Sequence, residues 1–201
     1  MQKIVPAWRL LFEEPLAAHT TFKIGGPAEC MILPMTIEEV RAVCLVAKNY
    51  NVPIFILGGG SNLLVRDNGI AGIVLKLSPD CFGRIEKTAD GLRAYAGAWL
   101  KDVCAFAAAH SLTGIEFACG IPGSMGGAVY MNAGAYDGEL SGCVQSVMVL
   151  MPDGTIAEIL GADADFSYRH SIFQTNGAVI LAVELQLVKT VQSEVVAKMR
   201  E

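Results

Sequence analysis

Positive charge is scarce in this sequence, and nowhere does it form a cluster. Fifteen Lys and Arg residues stand against 20 Asp and Glu residues, which gives a formal net charge of −5. Because nucleic-acid binding needs a basic surface to neutralise phosphates, we expect no nucleic acid as a partner. No apolar run has the length of a membrane span, and the N-terminus has no apolar core of a secretion signal. We therefore expect a cytoplasmic protein with no membrane partner.

Metal-binding patterns are missing as well. The three His residues do not have the spacing of metal ligands, and no two Cys residues form a C-x-x-C pair. The six cysteines are scattered among apolar residues, so we expect free thiols in a reducing compartment and no metal site. The cysteines are Cys30, Cys44, Cys81, Cys104, Cys119 and Cys143.

Charge is absent altogether from Phe117 to Tyr136, a run that contains five Gly and one Pro within residues 120–136. Gly costs about 1 kcal/mol and Pro about 3 kcal/mol at an interior helix position, so a long helix is disfavoured here. The backbone N–H groups of glycine-rich loops form concavities that bind phosphate without a charged side chain. The stretch predicts half of a cofactor pocket, with a loop that only packs against protein as the alternative.

A second glycine-rich segment, residues 58–62, directly follows the apolar run from Val52 to Leu57, which has the pattern of a buried strand. A glycine-rich turn at the carboxyl end of such a strand is a usual ligand site in α/β proteins. Leu63 stands where a dinucleotide-binding fingerprint has its third glycine, and no Lys-Ser/Thr pair of a P-loop follows. The segment predicts a second phosphate-binding loop, and a tight turn without a ligand is the alternative.

The order of elements predicts an α/β part followed by an α+β part. A strand at Glu29–Leu33, a helix that starts at Thr36 with a capping box to Glu39, and the Val52–Leu57 strand make a βαβ unit with parallel strands. The composition changes near Ser78, and a hairpin signal stands at residues 152–154. Further strands are predicted at 72–77, 91–97, 144–151, 155–160 and 179–188, and a further helix at 99–111.

Four motifs occur in one order over residues 19–188, and together they resemble the UDP-N-acetylenolpyruvoylglucosamine reductase family, flavoenzymes of bacterial cell-wall precursor synthesis. The motifs are Thr21–Gly26, Leu57–Leu64, Gly120–Ala128 with Asn132–Ala135, and Tyr168–Phe173. The resemblance implies an α+β protein with an α/β N-terminal part, in the two-subdomain FAD-binding fold of the p-cresol methylhydroxylase type. It implies a small α/β FAD-binding subdomain at 1–77, an α+β FAD-binding subdomain at 78–188, and the start of a linker to a substrate-binding domain at 189–201.

The resemblance also implies an activity. NADPH reduces non-covalently bound FAD, and UDP-N-acetylglucosamine enolpyruvate is then reduced to UDP-N-acetylmuramate for peptidoglycan synthesis, cell shape and cell division. The family's proton-donating Ser and late catalytic Glu have no counterpart in this sequence. We therefore expect a flavin-binding part that is inactive alone and prone to self-association. The alternatives are a flavin- or nucleotide-binding module without catalysis, and another oxidoreductase of the same flavin fold.

The resemblance assigns the site residues. Arg169 is the catalytic candidate, since its planar guanidinium can pair with the substrate carboxylate. The local sequence alone is more typical of a surface ion pair. The predicted FAD-binding residues are Gly58, Gly59, Gly60, Ser61, Asn62, Ile121, Pro122, Gly123, Ser124 and Gly126.

Overall fold

The computed structural model describes Met1 and residues 3–200; Gln2 and Glu201, which fall in the predicted segments 1–77 and 189–201, lie outside the described residues. In chain order, the strands are β1 (Leu10–Pro15), β2 (Pro27–Ile32), β3 (Ile54–Leu57), β4 (Ile70–Lys76), β5 (Ile85–Lys87), β6 (Gly91–Tyr95), β7 (Leu112–Thr113), β8 (Gly134–Ala135), β9 (Gly138–Glu139), β10 (Val144–Leu150), β11 (Ile156–Leu160), β12 (Val179–Gln186) and β13 (Val188–Lys189). The α-helices are α1 (Ile37–Asn49), α2 (Pro79–Phe82), α3 (Leu100–Ala109), α4 (Met125–Tyr130) and α5 (Gln192–Lys198). Short 3-10 turns occupy Ala7–Arg9, Leu16–His19, Glu116–Ala118, Leu140–Gly142, Gly161–Asp163 and Ile172–Gln174.

The first sheet has the strand order β1-β2-β4-β3, with β1 antiparallel to β2 and the other neighbours parallel. Helix α1 connects β2 to β3, as predicted, but β4 lies between these two strands. Strand β3 is therefore an edge strand, and only Leu57 of its four residues is buried while Phe55 is exposed. The strand itself is confirmed, but the prediction that it is buried is wrong for all of its residues except Leu57, because chain order does not determine which strand takes the centre of a sheet.

The N-terminal end of α1 joins the first sheet through a buried ion pair. The Thr36 hydroxyl accepts a hydrogen bond from the Glu39 amide at 3.1 Å, which confirms the predicted cap. The Glu39 carboxylate accepts from the Met35 amide at 2.7 Å and takes two bonds of 2.6 Å from the Arg9 guanidinium. These hydrogen bonds, above all the one from Arg9, hold the pKa of Glu39 below its usual range.

The second sheet is antiparallel, with the order β11-β10-β12-β6-β5. The predicted hairpin is confirmed: β10 and β11 pair, the Met151 amide donates to Thr155 O at 2.8 Å, and Gly154 has φ +88° in the turn. The strand predicted at 179–188 is confirmed as β12, which is buried along its first five residues and alternates at its end, with Leu185 buried and Gln186 exposed. The chain at the end of β6 in this sheet contacts the glycine-rich segment at residues 120–126.

Among the described residues, the larger of two clusters of buried apolar side chains includes both sheets, with Ile32 and Leu75 from the first and Leu92 and Val183 from the second. A smaller, separate cluster belongs to the N-terminal part and includes Leu57 and Val74. The helix predicted at 99–111 is confirmed as α3, and Leu100, Val103, Cys104 and Ala107 on its inward face are all buried. The predicted boundary at residue 78 falls between β4 and β5, where the chain leaves the first sheet for the second. The division into two subdomains stays a prediction.

Residues 188–200 pack against the part of the chain that follows residue 78. Strand β13 pairs with β7, and Val195 of α5 is 1% exposed. The Cys119 thiol donates to Met199 O at 3.4 Å. The assignment of residues 189–201 as the start of a linker stays a prediction. Among the described residues, no helix combines the length and the apolar character that crossing a membrane requires.

Three of the six free thiols should resist alkylation in the folded protein. Burial raises the pKa of Cys104 and Cys143 to about 12 each and that of Cys44 to about 11. Because the thiolate is the nucleophile, we expect these three to stay unmodified by iodoacetamide at a pH of about 8. Peptide mass spectrometry checks this, with the chain unfolded in guanidinium as the control in which all six react. Equal modification of Cys104 before and after unfolding would contradict the prediction.

Candidate functional site

Two glycine-rich loops that lie about 60 residues apart in the sequence meet in the structure. The first glycine loop, residues 58–62, leaves the carboxyl end of β3, and the second glycine loop, residues 120–126, leads into α4. The Gly59 amide donates to Ser124 Oγ at 3.3 Å, and the Ser61 hydroxyl donates to Pro122 O at 2.7 Å. The two motifs predicted separately therefore form one site.

Only glycine fits at the point where the loops touch. A Cβ on Gly59 would lie 2.6 Å from Cζ3 of Trp99 and 3.2 Å from Cα of Gly123. Gly123 itself has φ +145°, a conformation that residues with a side chain rarely adopt. The glycines thus allow two stretches of backbone and an indole ring to come into direct contact.

Several backbone amides of the two loops are free to bind an anion. Within the part of the chain that the structure describes, the amides of Gly60, Ser61 and Asn62 donate to no protein acceptor. The same holds for the amides of Gly123 and Ser124 in the second loop. Clustered N–H groups of this kind attract phosphate oxygens. The two loops together can therefore hold a phosphate-bearing ligand without a charged side chain.

Other predicted residues of the second glycine loop cannot donate. The Gly126 amide donates to Ala96 O at 2.9 Å, and the Ile121 amide donates to Ala118 O at 3.1 Å, while Pro122 has no amide hydrogen. The expectation that these residues offer amides to a cofactor is wrong. A Cβ on Gly126 would lie 2.9 Å from the Cβ of Ala96, so this glycine serves the packing of α4 on the second sheet.

Two clefts open beside the loops, and Trp99 lies on the wall of both. The first cleft, with a volume of about 200 Å³, is lined by Gly58, Gly59, Lys76, Leu77, Ser78, Pro79, Gly97, Trp99 and Ser124. The second cleft, with a volume of about 350 Å³, is lined by Trp99, Lys101, Cys119, Gly120, Ile121, Pro122 and Gly123. An elongated ligand can thus lie along the loops with parts in both clefts.

Sequence reasoning missed Trp99, Lys76 and Lys101. It expected loops without nearby positive charge, yet each cleft has one lysine on its wall. No local pattern marks Lys76, because its position beside the first glycine loop depends on the pairing of β3 with β4. Trp99 stands at the start of a helix that was correctly predicted, and only the tertiary structure turns it towards the clefts.

Lys76 belongs to a chain of polar side chains behind the first cleft. Its Nζ lies 2.6 Å from Nδ1 of His19, and Nε2 of His19 lies 2.8 Å from a carboxylate oxygen of Glu14. Burial lowers the pKa of Lys76 from its usual value, while the charges of Glu14 and Asp80 oppose that change. The first cleft therefore has a half-buried cationic group at its edge.

Arg169 lies outside both clefts. It is exposed, has φ +56°, and donates from Nη2 to Gly134 O at 3.0 Å. Its guanidinium carbon is 5.5 Å from the centre of the Tyr168 ring. The structure does not place Arg169 among the loop residues, and its catalytic role stays a prediction.

The segment around Arg169 is anchored by Asn132, which the sequence analysis placed in a motif without giving it a role. Asn132 is 1% exposed, donates to Ser167 O at 3.0 Å and accepts from the Ser141 amide at 2.9 Å. Ser171 donates to Tyr130 O at 2.7 Å. These bonds connect the segment that holds Arg169 with the end of α4.

An α+β fold in which two glycine-rich loops meet and present free amides is typical of proteins that bind a dinucleotide through its diphosphate. A family model described as an FAD binding domain matches residues 28–160, and the chain belongs to this family. Among curated proteins, the chain is similar to the UDP-N-acetylenolpyruvoylglucosamine reductase of Clostridium botulinum, with 43% identity over 92% of this chain and 60% of the relative. The reductase of Latilactobacillus sakei is also 43% identical, over 94% of this chain and 61% of the relative. The chain thus spans about three fifths of the length of these relatives.

Solved structures agree with the assignment of the chain to this family and confirm the predicted fold class. The UDP-N-acetylenolpyruvylglucosamine reductase of Thermus caldophilus matches with a TM-score of 0.80 and 31% identity, over 95% of this chain and 66% of that one. A BBE-like protein of Physcomitrella patens matches with a TM-score of 0.60 at 17% identity, over 81% of this chain and 37% of that one. The second likeness concerns the fold alone, which is that of the p-cresol methylhydroxylase-type flavoproteins.

Gly120 offers a direct test of the second cleft. It lines that cleft, and a Cβ built on it meets no heavy atom within 4 Å among the described residues. The side chain in Gly120→Val would therefore take space from a ligand and not from the protein. We expect FAD affinity to fall by roughly 10-fold, since overpacking a site costs about 1–3 kcal/mol. The melting temperature without FAD should not change.

The matched control for this prediction is Gly142→Val. A Cβ on Gly142 also meets nothing within 4 Å, and the residue lines neither cleft. Both variants are titrated with FAD and followed by the quenching of flavin fluorescence. Equal FAD affinity in the Gly120 and Gly142 variants would show that no part of FAD enters the second cleft.

Proposed function

We propose that this chain is the flavin-binding part of an enzyme that uses NADPH to reduce UDP-N-acetylglucosamine enolpyruvate to UDP-N-acetylmuramate in the cytoplasm. The relatives that carry the name of this reductase share 42–43% sequence identity with this chain, in alignments that cover at least 92% of it. The observation that carries the proposal is the contact of the two glycine loops at Gly59 and Ser124, with unpaired amides on both sides.

The residues present fit FAD. The amides of Gly60, Ser61 and Asn62 would bind one side of the diphosphate, and those of Gly123 and Ser124 would bind the other. The missing Cβ atoms at the loop contact leave room for close approach. When bound, FAD supplies the acceptance and donation of hydride. Gly58, Ile121, Pro122 and Trp99 would line the cofactor with backbone and apolar surface.

Arg169 is the proposed catalytic residue of this chain. The bond from Nη2 to Gly134 O restrains the exposed guanidinium, and its remaining N–H groups donate to no acceptor among the described residues. A guanidinium is permanently charged and planar, so it can bind a carboxylate through two parallel hydrogen bonds. In this role, Arg169 would orient the enolpyruvyl carboxylate and stabilise negative charge that develops on it during reduction.

The proposal is tested by titration of the chain with FAD, followed by anaerobic addition of NADPH. We expect a yellow complex with quenched flavin fluorescence, and bleaching of the flavin absorbance by NADPH. With UDP-N-acetylglucosamine enolpyruvate added, we expect no sustained NADPH oxidation by this chain, since it spans about three fifths of its relatives. The Thermus caldophilus reductase is the positive control for turnover. A wild-type chain that does not bind FAD would contradict the proposal, and FAD binding without reduction would favour a non-catalytic module.

A further inference from the structure

We propose that Lys76, held by His19 and Glu14, is a further FAD-binding residue that donates to the diphosphate of the cofactor. The inference rests on the proposed FAD site and adds a side-chain cation to the backbone donors that line the first cleft. None of these three residues belongs to a glycine loop. They come from β1, from the 3-10 turn at Leu16–His19 and from the end of β4.

Lys76 is in the right place for this contact. It lines the first cleft together with Gly58, Gly59 and Ser124, the residues at which the two glycine loops meet. Its neighbour along the cleft wall is the backbone of the first glycine loop, because β3 and β4 pair with Leu57 opposite Lys76. A ligand that binds the loop amides in this cleft therefore passes the ammonium group.

The donors and acceptors that Lys76, His19 and Glu14 possess determine which atom donates in each contact. An ammonium group has three N–H donors and no acceptor, so Nδ1 of His19 must accept in the 2.6 Å contact with Lys76. The imidazole proton then lies on Nε2, which donates to Glu14 at 2.8 Å. The two contacts thereby assign the acceptor role to Nδ1 of His19 and the donor role to Nε2. The ammonium group of Lys76 makes no other hydrogen bond among the described residues, so two of its N–H donors are left for a ligand in the cleft.

A diphosphate is the part of FAD that suits this donor pair. It carries negative charge on oxygens that accept several hydrogen bonds, and lysine binds phosphate as a point charge. A lysine side chain normally loses considerable rotamer freedom when it binds a ligand. The bond to His19 restrains the ammonium before the ligand arrives, and the bond from His19 to Glu14 restrains the imidazole in turn.

The test compares Lys76→Met and Lys76→Arg with the wild type, using FAD and ADP as ligands. ADP carries the diphosphate without the flavin. We expect Lys76→Met to weaken both ligands by the same factor, roughly 10- to 100-fold for a lost charged hydrogen bond, and Lys76→Arg to retain most of the affinity. Raising the salt concentration should narrow the gap between Lys76→Met and the wild type, because the lost term is electrostatic.

Each other outcome is decisive. Normal FAD binding by Lys76→Met would overturn this inference and leave the proposed function intact. Weaker FAD binding with unchanged ADP binding would place Lys76 against the flavin half and would also overturn it. A wild-type chain that binds no FAD would overturn both this inference and the proposed function.

The positioning role of His19 is tested by a double-mutant cycle. His19→Phe removes both side-chain bonds, while His19→Asn keeps an acceptor near the Nδ1 position. We expect His19→Phe to weaken FAD binding by roughly 5-fold in the wild-type background and to have no further effect in Lys76→Met. His19→Asn should restore part of the loss. An equal loss from His19→Phe in both backgrounds would mean that His19 acts independently of Lys76.

Discussion

Gly59→Val is expected to weaken FAD binding by roughly 100-fold, which corresponds to about 3 kcal/mol of overpacking. Even the Cβ of a new side chain would lie 2.6 Å from the Trp99 ring and 3.2 Å from Cα of Gly123. The larger Val side chain would push the two glycine loops apart and separate the amides that face the proposed diphosphate. FAD titration followed by fluorescence quenching measures the effect.

Two further variants keep this prediction specific. Gly59→Ala should give a smaller loss, because only the Cβ must be accommodated. Gly142→Val again serves as the control, since a Cβ at Gly142 meets nothing within 4 Å. Circular dichroism without FAD checks that each variant is folded. Wild-type affinity in a folded Gly59→Val variant would show that the contact of the two loops is not part of the FAD site.

Arg9→Met is expected to lower the free energy of unfolding by about 3 kcal/mol, a typical loss when one partner of a buried ion pair is removed. The side chains of Arg9 and Glu39 are only 7% and 19% exposed, and two hydrogen bonds of 2.6 Å join them. The variant would leave the largely buried Glu39 carboxylate with the Met35 amide in place of a charged partner. Urea denaturation at neutral pH measures the loss.

The matched control is Arg84→Met, which breaks an ion pair with Glu86 whose arginine side chain is 69% exposed. We expect a loss of about 0–1 kcal/mol there, because water screens an exposed pair. A loss in Arg9→Met no larger than in Arg84→Met would contradict the importance of the buried pair.

The same pair predicts an acid dependence of stability. The pKa of Glu39 is lower in the folded state than in the unfolded chain, where it is about 4.3. The carboxylate therefore contributes its full share to the free energy of unfolding above that value, and this share is lost as the pH falls through the folded pKa. Unfolding free energies at about pH 6 and about pH 3 should therefore differ less in Arg9→Met than in the wild type.

Local signals predicted most individual elements but not their arrangement. The Thr36 cap and the turn at Gly154 are determined by neighbouring residues, so both were predicted. The insertion of β4 between β2 and β3 depends on pairing between distant segments, and so does the exposure of Phe55 on the resulting edge strand. The ion pair of Arg9 with Glu39 joins residues 30 positions apart and has no local signature.

The site divides in a similar way. Glycine content marked both loops, and the sequence order of the motifs indicated the family. Sequence could not show that the Gly126 amide is taken by Ala96 O, because that bond depends on how α4 packs on β6. It could not place Lys76 beside the first loop either. The positions of the glycines in the sequence indicate which loops can present backbone amides. Whether a given amide is free to bind a ligand depends on the tertiary fold.

The position of Trp99 gives the protein an internal optical probe. The sequence has two tryptophans, and the other one, Trp8, is 72% exposed and lines neither cleft. In a Trp8→Phe background, all indole emission would come from Trp99, which lies on the wall of both clefts. Flavins absorb where indoles emit, so energy transfer from Trp99 would report cofactor arrival and departure in real time, without a label and at concentrations suited to stopped-flow kinetics.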